Sequence, residues 1–183
     1  DIMILVRRRR RIVDRLVRSL KDAGVPVAGV DRLVLTQQLS VMDLVAFANF
    51  LLLPDDDLNL ATVLKGPLVG FDDDDLFELA FDRGKKSLWQ VLVDRASDIA
   101  KFERARLWLG EMLGDADFVA PYELFAGILT RPTVNGESGR KAMISRLGAE
   151  AEDPLDEFLN LALDYEHSET PSLQGFLHWI AAE

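Results

Sequence analysis

The chain has 183 residues, 49% hydrophobic and 28% charged, enough for one ordinary domain to bury a proper core. It has no cysteine, which excludes disulfides, thiolate nucleophiles and the common structural zinc sites and agrees with a cytoplasmic origin; no apolar run approaches the roughly 20 residues of a membrane span. The net charge of −10 is divided, +5 over residues 1–40 and −15 over residues 41–183, which excludes a surface that binds nucleic acid throughout, because each phosphate contact wants a cation.

Ile2-Met3-Ile4-Leu5-Val6 is a short apolar run of the kind a buried parallel strand makes. It is too short for a signal peptide, and its basic residues follow it instead of preceding it. The start at Asp1, directly before this run, leads us to expect a piece excised from a longer protein. After five arginines at 7–11 comes a helical stripe of Ile12, Val13, Leu16, Val17 and Leu20, closed by Gly24. Val25-Pro26-Val27-Ala28 then reads as a second short strand. One or two strands cannot make a complete sheet, so residues 1–30 read as an α/β stub whose partner strands lie elsewhere in a parent chain.

Residues 31–183 read as helical throughout. Ser40, with Asp43 three residues on, resembles a capping box ahead of Val41, Leu44, Val45, Ala48, Leu51 and Leu52, and Pro54 ends that helix. Asp57 is placed to cap a short helix over 58–64, which Gly66-Pro67 stops. The carboxylates of Asp72, Asp73, Asp74 and Asp75 suit a helix N-terminus leading into Leu76, Phe77, Leu79 and Ala80. Ser87 caps a helix over 88–96, and Ser97 or Asp98 caps a longer one carrying Ile99, Phe102, Leu109 and Leu113. Further helices follow at 122–129, 141–147, 155–165 and 173–182, with Pro121, Pro154 and Pro171 near three of the starts, where proline is tolerated. Residues 131–139 read as a surface loop. The expected fold is mainly α: an irregular multi-helix domain on a short α/β stub.

Among residues able to carry chemistry, the arginines are the strongest charge signal. Arg7 directly follows the first strand, the position at which α/β folds hold phosphates. Arginine suits that task because it stays charged and grips phosphate oxygens in a fork. Arg8 to Arg11 fit a solvated helix face. The aspartate runs at 55–57 and 72–75 lack calcium-loop spacing, with no Gly at the sixth position and no Glu at the twelfth, and read as helix caps. His167 and His178 have no companion at ligand spacing, so no metal site is expected. Neither a G-x-x-x-x-G-K-[ST] nor a G-x-G-x-x-G pattern occurs. Leu64-Lys65-Gly66-Pro67-Leu68-Val69-Gly70-Phe71 joins a helix end, a Gly-x-x-x-Gly turn and a new helix start. It reads either as a hairpin presenting backbone N–H groups to a phosphate or as an ordinary helix–helix connection. The four aspartates that follow it favour the connection, since they repel a phosphate.

Taken in order, these stretches resemble UvrD/Rep-type superfamily 1 DNA helicases. Ile4-Leu5-Val6-Arg7-Arg8-Arg9, Leu16-Val17-Arg18-Ser19-Leu20-Lys21 and the run from Gly24-Val25-Pro26 to Asp31-Arg32-Leu33 are similar to the fourth helicase motif and its sequel. Val41-Met42-Asp43-Leu44, Leu53-Pro54-Asp55-Asp56-Asp57-Leu58, Leu64-Lys65-Gly66-Pro67-Leu68 and Ser87-Leu88-Trp89 resemble the AddA helicase–nuclease subunit of bacterial double-strand-break repair. So do Gly139-Arg140, Arg146-Leu147-Gly148, Asp153-Pro154-Leu155-Asp156-Glu157-Phe158 and Pro171-Ser172-Leu173-Gln174-Gly175-Phe176-Leu177.

The resemblance implies a parent that is an ATP-driven 3′-to-5′ DNA helicase, with ATP and Mg2+ as its cofactors and a duplex or fork as its substrate. Residues 1–30 would belong to its second RecA-like motor lobe and residues 31–183 to the helical subdomain inserted there. Arg7 would reach the γ-phosphate of ATP, and Lys65, Gly66, Gly70 and Phe71 would lie against the DNA backbone. The extra arginines after Arg9 are not a family requirement, and the other motor motifs would lie outside the chain. On this reading the fragment holds no catalytic site or cofactor of its own and contacts DNA or a nuclease partner subunit. The alternative is an acidic helical scaffold that docks a partner subunit without touching DNA.

Overall fold

The computed structural model describes residues 19, 20, 23, 25, 35–116 and 118–182. The chain divides into two units, Asp1–Val34 and Leu35–Glu183, where the sequence pattern set a boundary between 30 and 31. Arg7, the strand expected at 2–6 and most of the one expected at 25–28 lie outside the described residues. Within the first unit, Ser19 and Leu20 are helical, and the Val25 N–H donates to the Leu20 carbonyl at 2.9 Å. A bond to the fifth residue back is the 6→1 bond of a Schellman helix end.

The second unit is mainly helical, an irregular multi-helix domain with no strand among its described residues beyond an isolated antiparallel bridge between Pro132 and Ser138. The helices are α1 (Leu39–Leu52), α2 (Asp57–Lys65), α3 (Asp73–Ala80), α4 (Leu88–Arg95), α5 (Ala100–Asp115), α6 (Pro121–Thr130), α7 (Gly139–Leu147), α8 (Glu152–Ser168) and α9 (Leu173–Ala182). No helix among the described residues is long and apolar enough to cross a membrane.

Helix α1 is central because it is apolar nearly all round, with Asp43 its only charge, and such a helix must be buried on several sides. It packs against α2, α7, α8 and α9. Phe47 and Phe50 of α1 meet Trp108 of α5 and Trp89 of α4 edge-on, with ring centroids 5.5 and 5.6 Å apart. A second aromatic group joins three of the last four helices. Phe125 of α6, Phe158 of α8 and Phe176 of α9 form a triangle with sides of 4.7, 5.8 and 5.4 Å, and all three side chains are fully buried.

Several local expectations need correction. The cap of α1 is Gln38 without a side-chain bond; Ser40 lies inside the first turn and is buried, so it cannot serve as the expected capping box. The cap of α2 is Asp56, one residue before the expected Asp57. Neither Ser97 nor Asp98 caps α5, since their side chains bond each other and Ile99 takes the cap position. Phe77, expected on the apolar face of α3, is 66% exposed, because Leu76 and Leu79 occupy the side that meets the core. Residues 131–139 are more than a surface loop. Thr133 is buried, Val134 packs on the core, and the Trp108 indole N–H donates to the Pro132 carbonyl at 2.9 Å.

Candidate functional site

The turn between α2 and α3 is where the family resemblance implies DNA contact, although its own residues favour an ordinary helix–helix connection. Four of its backbone N–H groups donate within the chain: Gly66 to Thr62 at 2.8 Å, Val69 to Gly66 at 3.3 Å, Gly70 to Gly66 at 2.9 Å and Phe71 to Leu64 at 2.8 Å. Pro67 has no N–H to offer. A phosphate would have to displace these bonds to reach the donors. The side chains also face inward, with Leu68, Val69 and Phe71 no more than 3% exposed. Phe71 stacks on Phe102 of α5 at 5.5 Å between centroids, under the Lys101 ammonium. Gly70 takes a positive φ of 77°, which only glycine adopts freely, while the Asn135 side-chain amide donates to the Val69 carbonyl at 3.3 Å. The loop at 131–139 is thereby fastened to this turn.

Lys65 is the one cation between residues 58 and 82. Its ammonium pairs with Asp73, which is 83% exposed, so the pair is weak and Lys65 stays accessible. The structure therefore brings Lys65, Gly66, Gly70 and Phe71 together in one turn, but only Lys65 points its polar group outward.

The aspartate runs fix helix starts. Asp72 and Asp75 form a reciprocal capping box on α3, with N–H to carboxylate distances of 2.7 and 2.8 Å. Burial pushes the Asp75 carboxyl upward, but hydrogen bonds from Lys101 and the Asp72 N–H, with the Lys101 charge, outweigh it and hold it below its ordinary range. In the other run, Asp56 accepts the Leu58 and Asn59 N–H groups at 3.1 Å each; these bonds, led by Asn59, lower its pKa. Asp55 accepts the Ser87 hydroxyl at 2.6 Å, and Asp57 pairs with Arg83. These residues, with Lys86 and Gln90, line an open cleft of ≈ 390 Å³ between the starts of α2 and α4. Within it Arg83 is held by Asp57, and Lys86 is turned onto Asp94 outside it, while Lys85, which also lines the cleft, is in no ion pair among the described residues.

The sequence reading missed an exposed aromatic pair. Phe77 and Phe81 are 66% and 67% exposed, with ring centroids 5.3 Å apart. Their i, i+4 spacing could have revealed it. With Leu76 and Leu79 on one side of α3, residues at 77 and 81 fall on the opposite side. Around them stand Asp74, Glu78 and Asp82, all exposed.

No known protein family matches the chain, and no curated protein matches it in sequence.

Proposed function

We propose that this chain is the helical subdomain inserted in the second motor lobe of a UvrD/AddA-type superfamily 1 DNA helicase, and that its described domain serves there as a platform for a partner protein. The parent is an ATP-dependent 3′-to-5′ helicase acting in double-strand-break repair and recombination, with Arg7 on the ATP γ-phosphate. The observation that carries the reading is where the stretches resembling the family fall. Gly66 closes α2, Ser87 and Gln90 form the capping box of α4, Gly139 lies against the Ile128 carbonyl, and Gly175 lies against the Tyr165 hydroxyl. These are tight positions that a shared fold would keep. Sequencing the reading frame on both sides of these 183 residues tests the assignment. A phosphate-binding loop encoded upstream is expected; start and stop codons bracketing the chain would contradict it.

Between the two roles open to such a subdomain, the Lys65–Phe71 geometry favours docking over DNA contact. Four of its N–H donors, those of Gly66, Val69, Gly70 and Phe71, are used internally, and residues 72–82 add six carboxylates with no Lys or Arg. Duplex phosphates lose affinity on such a surface. Titrating the purified chain with a labelled forked duplex at low salt tests this choice. Little or no binding is expected, and tight, salt-sensitive binding would favour the DNA role.

A further inference from the structure

We propose that Phe77 and Phe81 are the anchor of a docking site for a basic, amphipathic segment of a partner protein. This deepens the platform role above and rests on it, although it does not depend on the helicase assignment. The two rings lie side by side on the solvent face of α3 and its C-terminal cap, two thirds exposed and 5.3 Å apart. Single exposed apolar residues are ordinary, but a contiguous aromatic pair with a polar rim is the pattern of a contact surface.

Charge selects the occupant. Of the six carboxylates at residues 72–82, Asp73, Asp75 and Glu78 meet Lys65, Lys101 and Arg95, and Asp72 is the helix cap. Asp74 and Asp82 have no ion-pair partner among the described residues. They precede and follow the rings, respectively, by one helical turn or less. The neighbouring cations Arg83 and Lys86 are turned onto Asp57 and Asp94, which leaves Lys85 as the one nearby cation outside an ion pair among the described residues. Lys or Arg side chains on the partner would meet Asp74 and Asp82, and could lie on the ring faces as cations. Its apolar side would cover the rings, as an amphipathic helix covers a hydrophobic surface. A nucleic-acid strand could stack bases on the rings, but its phosphates would meet this acidic rim. A second copy of the chain would oppose like charges.

The test uses the intact chain and a fluorescein-labelled amphipathic helical peptide of leucine and lysine, followed by anisotropy. Phe77→Ser/Phe81→Ser should weaken binding at least about tenfold, which is ~1.4 kcal/mol, while its thermal midpoint stays near that of the parent because neither ring is in the core. Asp74→Lys/Asp82→Lys should weaken it too. No binding by the parent chain, equal binding by the parent chain and the serine variant, or equal binding of a lysine–serine peptide would overturn the proposal. So would a Phe77-dependent dimer in sedimentation or preferential binding of a single-stranded oligonucleotide. A positive peptide result without helicase motifs in the flanking frame would leave this site standing and remove only the helicase assignment. The reverse outcome would remove only this site.

Discussion

The Asp57 carboxylate accepts the backbone N–H of Leu88 at 2.7 Å and pairs with the Arg83 guanidinium. Asp57 begins α2 and Leu88 begins α4, so one side chain ties together two helix starts 31 residues apart in the chain. Asp57→Ala leaves a part-buried N–H without an acceptor and should cost about 1–3 kcal/mol in urea denaturation. Asp57→Asn keeps an acceptor oxygen and should recover part of that loss. Indistinguishable midpoints for Asp57→Ala and the parent chain would show that the tie contributes nothing.

Two glycines are required by contact and not by a positive φ. A Cβ at Gly139 would lie 2.2 Å from the Ile128 carbonyl oxygen, so Gly139→Ala must push α7 away from the backbone of α6. A Cβ at Gly175 would lie 2.2 Å from the Tyr165 hydroxyl, a side-chain tip that can shift at the expense of its 3.0 Å bond to the Thr170 carbonyl. Both alanine variants should lose stability, on the order of 1–3 kcal/mol, with Gly139→Ala the worse. Gly110→Ala, on the exposed side of α5 with nothing within 4 Å of the new carbon, should instead gain about 0.5–1 kcal/mol. Urea midpoints of the three variants check the order.

Burial pushes the Asp43 carboxyl above its ordinary range, with the Arg146 charge opposing in part. The folded state therefore holds this proton more tightly than the unfolded chain. Asp43 takes stability away as pH rises through its folded pKa and returns it as pH falls. Asp75 has the opposite sign: its lowered pKa gives stability above the unfolded value, lost as pH falls through the folded one. Asp43→Asn should raise the Tm at about pH 7, with the gain vanishing toward about pH 4, whereas Asp75→Asn should lower it at about pH 7. Scanning calorimetry across that range separates the two.

Local signals were legible in the sequence where the physics is local. Gly66-Pro67 ends α2, Ser87 caps α4 and Pro121 opens α6, each through backbone groups within a few residues. Reading failed where a partner distant in the chain decides. Ser40 looks like a cap, but the chain enters α1 two residues earlier, at Gln38, from a 3-10 segment at Leu35–Gln37. Asp57 is free for Leu88 and Arg83 because Asp56 takes the cap. The site itself was half visible. Its Gly-x-x-x-Gly turn lies where the pattern put it, but the side it shows to solvent depends on Phe102 and on Asn135, which bonds Val69 across 66 residues. No periodicity within residues 64–71 carries that information.

Four backbone N–H groups of the turn between α2 and α3 are bonded within the chain, so a phosphate reaches them only by displacing those bonds. Backbone amide NMR of the chain during titration with a forked DNA duplex at low salt tests this most directly. The Gly66, Val69, Gly70 and Phe71 amides should hold their positions and remain protected from hydrogen exchange, because each is already bonded within the chain. A saturable, concerted shift of these four amides, with loss of their protection, would contradict it.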